Sequence, residues 1–204
     1  MTHSPLDTDQ TDALQEVVNI AMGQAGDQLA RTLDRFVALS VPRIRLVHVS
    51  EVVRTVQEMI SDATLVSAVR QAFFDELRGE AVVIYDDAGC MDLAHLMGYD
   101  DAPSPLEEQE LLLDVSNLLV SACVNGVAQQ FGADLSFSPP SIMGERIPLE
   151  LVLAPAQLSW QHSLLIEVNF GLENSAFKSH LLILMAEEGI DALRDALDRL
   201  METI

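Results

Sequence analysis

The chain carries one long, mostly apolar helix pattern twice, 98 positions apart, and that repetition constrains its fold more than any other feature. Laid on residues 110–142, residues 12–44 keep only Leu14/Leu112, Val17/Val115, Asn19/Asn117, Ala30/Ala128, Ser40/Ser138, Pro42/Pro140 and Ile44/Ile142 identical. The apolar pattern is kept far better. Positions 13, 14, 17, 20, 21, 22, 25, 29, 30 and 33 are all apolar, and so is every counterpart. Between them runs a polar or small stripe. Asp12, Glu16, Asn19, Gly23 and Asp27 stand against Glu110, Asp114, Asn117, Ser121 and Asn125. Steps of four, three, four and four follow one ridge of an α-helix. Each copy therefore predicts a long helix with a wide buried face and one narrow polar seam. Thr8 or Thr11 is the expected N-cap of the first.

The repeat runs on past the helices. Each copy meets a proline, Pro42 or Pro140, and then β-like sequence. "TLVSAVRQAFF" (64–74) aligns with "HSLLIEVNFGL" (162–172), and "AVVIYDDAG" (81–89) with "LLILMAEEG" (181–189), the latter at an offset of 100. A shorter helix follows in both: "CMDLAHLMG", and a C-terminal one with Ile190, Leu193, Leu197 and Leu200 at helical spacing. Each half reads helix, about three strands, helix. Repeat A covers about 7–98 and repeat B about 107–204, joined by an acid- and proline-rich linker at about 99–106. Neither half can cover its own broad helix face. The expected fold is α+β: an internally duplicated, pseudo-twofold single domain. It has about six mainly antiparallel strands, with the two long helices packed on one face.

Composition narrows the function. With 204 residues, about half of them apolar, the chain can bury a real core. Cys90 and Cys123 make no metal or redox spacing, and no disulfide framework is present, so a cytoplasmic location is expected. The polar start, "MTHSPLDTDQTD", lacks a secretory apolar region. The longest apolar segment, "LLLDVSNLLVSACVNGVA", holds Asp114, Asn117 and Asn125, which are costly in a bilayer. It reads as a buried soluble helix, and no membrane partner is expected. A net charge of −21 makes nucleic acid a poor partner, because binding needs cations to replace counterions. The sequence holds no Walker loop, Rossmann glycine pattern, HExxH, GxSxG or paired-cysteine zinc spacing. His48 and His162 fall in strand-like runs and His95 on a short helix, each as core or surface side chains.

The polar seam is the feature left to explain. Burying Glu16 or Asp114 unpaired would cost several kcal/mol, so the seam is expected to face water. Gly23 costs its helix about 1 kcal/mol relative to alanine, and Ser121 at the matching place is also small. Small residues one turn beyond each asparagine leave a shoulder where another molecule's backbone can approach.

At these residues the sequence resembles the CheC/CheX/FliY family of chemotaxis phosphatases. The family's pattern is Asp or Ser, three residues, Glu, two residues, Asn, then twenty-two residues and Pro. Asp12, Glu16, Asn19 and Pro42 match it in full. Glu110, Asp114, Asn117 and Pro140 repeat the spacing but depart at two points: Glu110 replaces the leading Asp or Ser, and Asp114 replaces the motif Glu. The shorter Asp114 carboxylate stops about 1.5 Å short, one C–C bond. Two motifs look like the CheC type. The resemblance implies hydrolysis of the aspartyl phosphate on a CheY-type response regulator. Glu16 and Asn19 would be catalytic at the first site, and Asp114 and Asn117 at a weaker second one. Asp12, Gly23, Glu110 and Ser121 would contribute to binding. It implies no intrinsic cofactor, with Mg²⁺ supplied by the phosphorylated receiver. The asparagine would orient the attacking water, and the acid would hold the receiver's lysine. The alternative is a non-catalytic adaptor or sink that binds phosphorylated receivers or a CheD-like partner.

Overall fold

The computed structural model describes residues 6–60, 65–86, 93–95, 103–154, 160–173 and 177–202. The first seam lies on α1 (Thr8–Leu33) and the second on α3 (Pro105–Gln130), each 26 residues long. Neither threonine caps α1. Asp7 does, accepting from the Gln10 N–H at 2.8 Å while Gln10 Oε1 accepts from the Asp7 N–H at 3.1 Å. This reciprocal capping box satisfies two donors at once. Thr11 lies inside the helix and donates its hydroxyl back to the Asp7 carbonyl. Ser104 and Glu107 form the same box on α3, with Pro105 in the first turn. The second helix therefore begins inside the stretch assigned to the linker. "SPLE" is a helix start, where its proline loses nothing because that N–H has no intrahelical acceptor. Residues 99–102 lie outside the described residues.

The remaining elements are β1 (Val37–Leu39), β2 (Arg43–His48), α2 (Val52–Met59), β3 (Val66–Asp75), β4 (Gly79–Asp86), β5 (Leu135–Phe137), β6 (Ser141–Ile147), α4 (Leu149–Val152), β7 (His162–Leu172), β8 (Lys178–Ala186) and α5 (Glu187–Met201). The sheet is antiparallel throughout, in the order β1-β7-β8-β4-β3-β5, with β2 also on β7 and β6 also on β3. Eight strands thus occupy six positions, because each edge strand is broken in two. The breaks fall at Pro42 and at Pro139–Pro140. The register slips by one residue across each: Leu39 faces Phe170 but Arg43 faces Glu167, and Phe137 faces Phe73 but Ser141 faces Arg70. Proline lacks the N–H a ladder needs and survives only at such edges and bulges.

The halves meet at the centre of the sheet. β4 and β8 pair with Val82 opposite Leu182, so the pseudo-twofold axis passes through that pair and the offset of 100 holds there. The third strand needs correction. β3 corresponds to β7 at an offset of 97, not 98: Phe73 faces Gly79 as Phe170 faces Ser179. Phe73 therefore matches Phe170, and both enter the core under the long helices. A slip of one residue exchanges the two faces of a strand. Here alternation could not reveal it, since both faces of the sheet are buried and the strands read as nearly continuous apolar runs.

One face packs against α1, α3 and α5 through residues such as Leu14, Val18, Leu119 and Leu193. The other is covered by α2 and α4 with Trp160, around Val56, Ile84, Leu165 and Leu182. The expected fold covers one face only, and this second layer is an addition to it. α1 and α3 approach closely: a Cβ built on Gly126 would sit 3.1 Å from the Ala21 carbonyl oxygen. Among the described residues α3 is the one helix long and apolar enough to cross a membrane, but 67% of that stretch is buried inside the fold. Cys123 is buried there, and burial pushes its thiol up to about 12, which leaves it unreactive.

Because β4–β8 pairing and α1–α3 packing bury each half against the other, cleavage within residues 99–103 should leave two fragments that co-elute and melt in one transition. Two separable, independently folded halves would contradict this arrangement.

Candidate functional site

Asp12, Glu16, Asn19, Gly23 and Asp27 are all exposed along α1, while Leu14, Val17, Val18, Ala21 and Met22 between them are buried. On α3, Glu110, Asp114 and Asn117 are exposed, and Ser121 and Asn125 are half-buried. Both seams therefore reach water, and each carboxylate sits one turn before its asparagine on the same ridge. Asp12, Glu16 and Asn19 lie on one helix and Glu110, Asp114 and Asn117 on the other, while Pro42 and Pro140 stand at the breaks in the two edge strands.

The contacts of the two carboxamides are alike, although different residues make them. At the first site, Gln15 Nε2 donates to Asn19 Oδ1 and to the Pro42 carbonyl, both at 3.3 Å. At the second, Gln71 Nε2 donates to Asn117 Oδ1 and to the Ser138 carbonyl, both at 2.9 Å. In each case a glutamine amide ties the asparagine to the backbone where the edge strand breaks. Gln15 comes from α1 itself, four residues before Asn19, whereas Gln71 comes from β3. The position matching Gln15 is Leu113, and the position matching Gln71 is Val168, a core residue. Neither glutamine follows from the seam pattern. Gln15 could be read from its i, i+4 spacing to Asn19, but no local signal points to Gln71.

Gln71 is only 2% exposed, and its Oε1 finds no partner among the described residues. A buried bare acceptor costs about 1–3 kcal/mol. Both amide hydrogens face carbonyl oxygens, which fixes the amide's orientation. Behind Asn117, the buried Tyr85 hydroxyl lies 2.7 Å from Ser116 Oγ and anchors that turn of α3 to β4.

The ground around the two sites differs. Beside Asn19 an open groove of about 470 Å³ runs along Gly23, Gly26 and Asp27 and is closed by Phe36, Leu39 and Pro42. A Cβ on Gly23 would meet nothing within 4 Å. Ile20, Phe36 and Val41 stand out as exposed apolar side chains, at 42%, 64% and 73%. The corresponding second-site positions are Leu118, Asp134 and Pro139. Among the described residues no group of three or more His, Cys, Asp and Glu could hold a metal ion.

The chain shares its fold with solved structures of FliY, of the chemotaxis protein CheX and of the FliM middle domain. FliY from Thermotoga maritima superimposes with a TM-score of 0.72 at 17% identity, over 97% of this chain and 100% of that one. The FliM middle domain from H. pylori gives 0.62 at 10% identity, over 94% and 99%. CheX from Desulfovibrio desulfuricans gives 0.52 at 14% identity, over 82% and 99%. No family model matches the sequence, and no curated protein matches it.

Proposed function

We propose that this protein hydrolyses the aspartyl phosphate of a CheY-type response regulator in the cytoplasm. The observation that carries the reading is Asn19: exposed, one turn from Glu16, with its carbonyl oxygen held from behind, in an arrangement that recurs at Asn117. Phosphoryl transfer asks for an aligned nucleophile and stabilised charge, and little covalent work from the catalyst. The receiver brings the acyl phosphate, its Mg²⁺ and its lysine. An asparagine supplies what is missing. Its Oδ1 has a second lone pair for the attacking water, and its Nδ2 can donate to a phosphoryl oxygen. Ordering that water lowers the entropic part of the barrier. Glu16 pairs with the receiver's lysine and sets the docking register. Asp12 and Gly23 border the contact, Gly23 by leaving room for the partner's backbone. The groove with Ile20, Phe36 and Val41 gives the first site an apolar footing of the kind that anchors protein partners.

The second site, with Glu110, Asp114, Asn117 and Ser121, is the weaker of the two in this reading. Its carboxylate is shorter and its surroundings more polar. A net charge of −21 also opposes long-range attraction to an acidic receiver pocket, so docking rests on local contacts.

A non-catalytic adaptor, binding phosphorylated receivers or a CheD-like protein, is the second reading. It is favoured by Asp114 and by the fold's likeness to FliM as well as to CheX. A turnover assay separates the two. The protein is mixed at substoichiometric ratio with a phosphorylated CheY-type receiver and phosphate release is counted. Many phosphates released per molecule are expected; stoichiometric binding without release would establish the adaptor instead.

A further inference from the structure

We infer that Gln15 and Gln71 are positioning residues that set which way the site carboxamides face. An asparagine amide is nearly symmetric in shape, and an exposed one turns freely about its last bond. A water-orienting asparagine cannot tolerate that freedom, because its two ends do opposite jobs. Donation from Gln15 Nε2 to Asn19 Oδ1, and from Gln71 Nε2 to Asn117 Oδ1, occupies one lone pair of each oxygen, which leaves the other for the water and Nδ2 for an outside acceptor. A flipped asparagine would oppose N–H to N–H and lose the bond. The second donation, to Pro42 or Ser138, fixes the glutamine in turn against the broken edge strand.

Two observations argue that this is more than incidental packing. The halves reach the same arrangement from different elements: a helix glutamine with Val168 in one, a strand glutamine with Leu113 in the other. Shared descent of one position does not explain that; a shared requirement does. Gln71 also keeps a bare buried Oε1 at a place where the other half carries valine in the core. A side chain selected for stability alone would not be this one.

The inference rests on the phosphatase reading for its kinetic part, but not for its structural part. In an Asn117→Ala background, Gln15→Leu should lower kcat for phosphoreceiver hydrolysis about 10-fold with KM unchanged, since a small misplacement of an aligning group is expensive. Val168→Gln, which transplants the strand glutamine of the other half, should restore part of the rate. In the otherwise unaltered protein, Gln71→Val should hold or raise the thermal midpoint while the Asn117 side-chain amide loses order in its ¹⁵N relaxation, and Leu113→Gln should return it. Wild-type kcat in the Gln15→Leu protein would overturn the kinetic claim. Should the unaltered protein release no phosphate, the functional reading alone falls and the amide signals still decide: an Asn117 amide equally ordered in Gln71→Val overturns the inference.

Discussion

Alanine at Asn19 and Asn117 together is expected to reduce phosphoreceiver hydrolysis at least 100-fold while leaving receiver binding within about twofold, because in the proposed mechanism the carboxamides act on the water and not on the docking surface. The single variants should be unequal. Asn19→Ala should remove most of the activity and Asn117→Ala little, since Asp114 is a methylene shorter than Glu16 and the exposed Phe36 of the first site is Asp134 at the second. Glu16→Lys should do the reverse of Asn19→Ala: KM rises about 10-fold by setting like charge against the receiver's lysine, with kcat changing less. Steady-state kinetics with a phosphorylated receiver, beside binding to the same receiver carrying a non-hydrolysable phosphoryl mimic, separates the two effects. Full activity in the double asparagine variant would remove the catalytic assignment altogether. A uniform loss of binding in both asparagine variants would instead make the seam a recognition surface.

The long helices and their seams were legible because a period of 3.6 is printed in the residue order and both copies print it alike. Glu16 and Asn19 could be found for the same reason: charge on a largely apolar helix must reach water. The sheet was legible only in outline. Its central strands are buried on both faces, so nothing in "AVRQAFF" distinguishes an offset of 97 from 98 until the hydrogen-bond ladder is seen. The cover of the second face is short, and "VVRTVQEM" is rich in β-branched residues, which weakens its helix signal. Val52 and Val56, four apart and fully buried, reveal α2 only once its partners Val47 and Leu149 are known. Gln71 lay out of reach altogether, since what it does depends on β3 passing beneath α3. Sequence order carries the exposed seam residues more readily than the side chains that hold them.

The largest stability effect is expected away from the seams, at Arg43. Its guanidinium makes a two-pronged contact with Glu167, at 2.6 and 2.9 Å, and Glu167 is fully buried on β7. His180 Nδ1 lies 3.6 Å from the same carboxylate and within hydrogen-bond distance of Asn169 Oδ1. Burial alone would push Glu167 up. The nearby His180 ring and the bonded Arg43 guanidinium outweigh it and hold the carboxyl below its ordinary range. Arg43→Met strips the main partner and leaves a charge in the core. About 3 kcal/mol should be lost at pH 7, the lower end for such a pair, because the arginine is itself 41% exposed and His180 remains. The pH dependence should change sign. A lowered folded-state value makes the wild-type contribution complete above the ordinary glutamate range and lost as the pH falls through the lowered value. Without Arg43, burial dominates and the folded-state value rises, so the variant should lose stability as the pH increases through it. Urea melts between pH 4 and 7 decide this, and parallel curves for the two proteins would refute it. The consequence reaches the first site, because Arg43 directly follows Pro42, whose carbonyl receives Gln15. Asn169, beside Glu167 on β7, brackets Ser40 through two 2.9 Å bonds on the other side of the same break. The buried pair thus pins the edge strand just where it leaves its ladder, and with it the carbonyl against which the Asn19 amide is aligned.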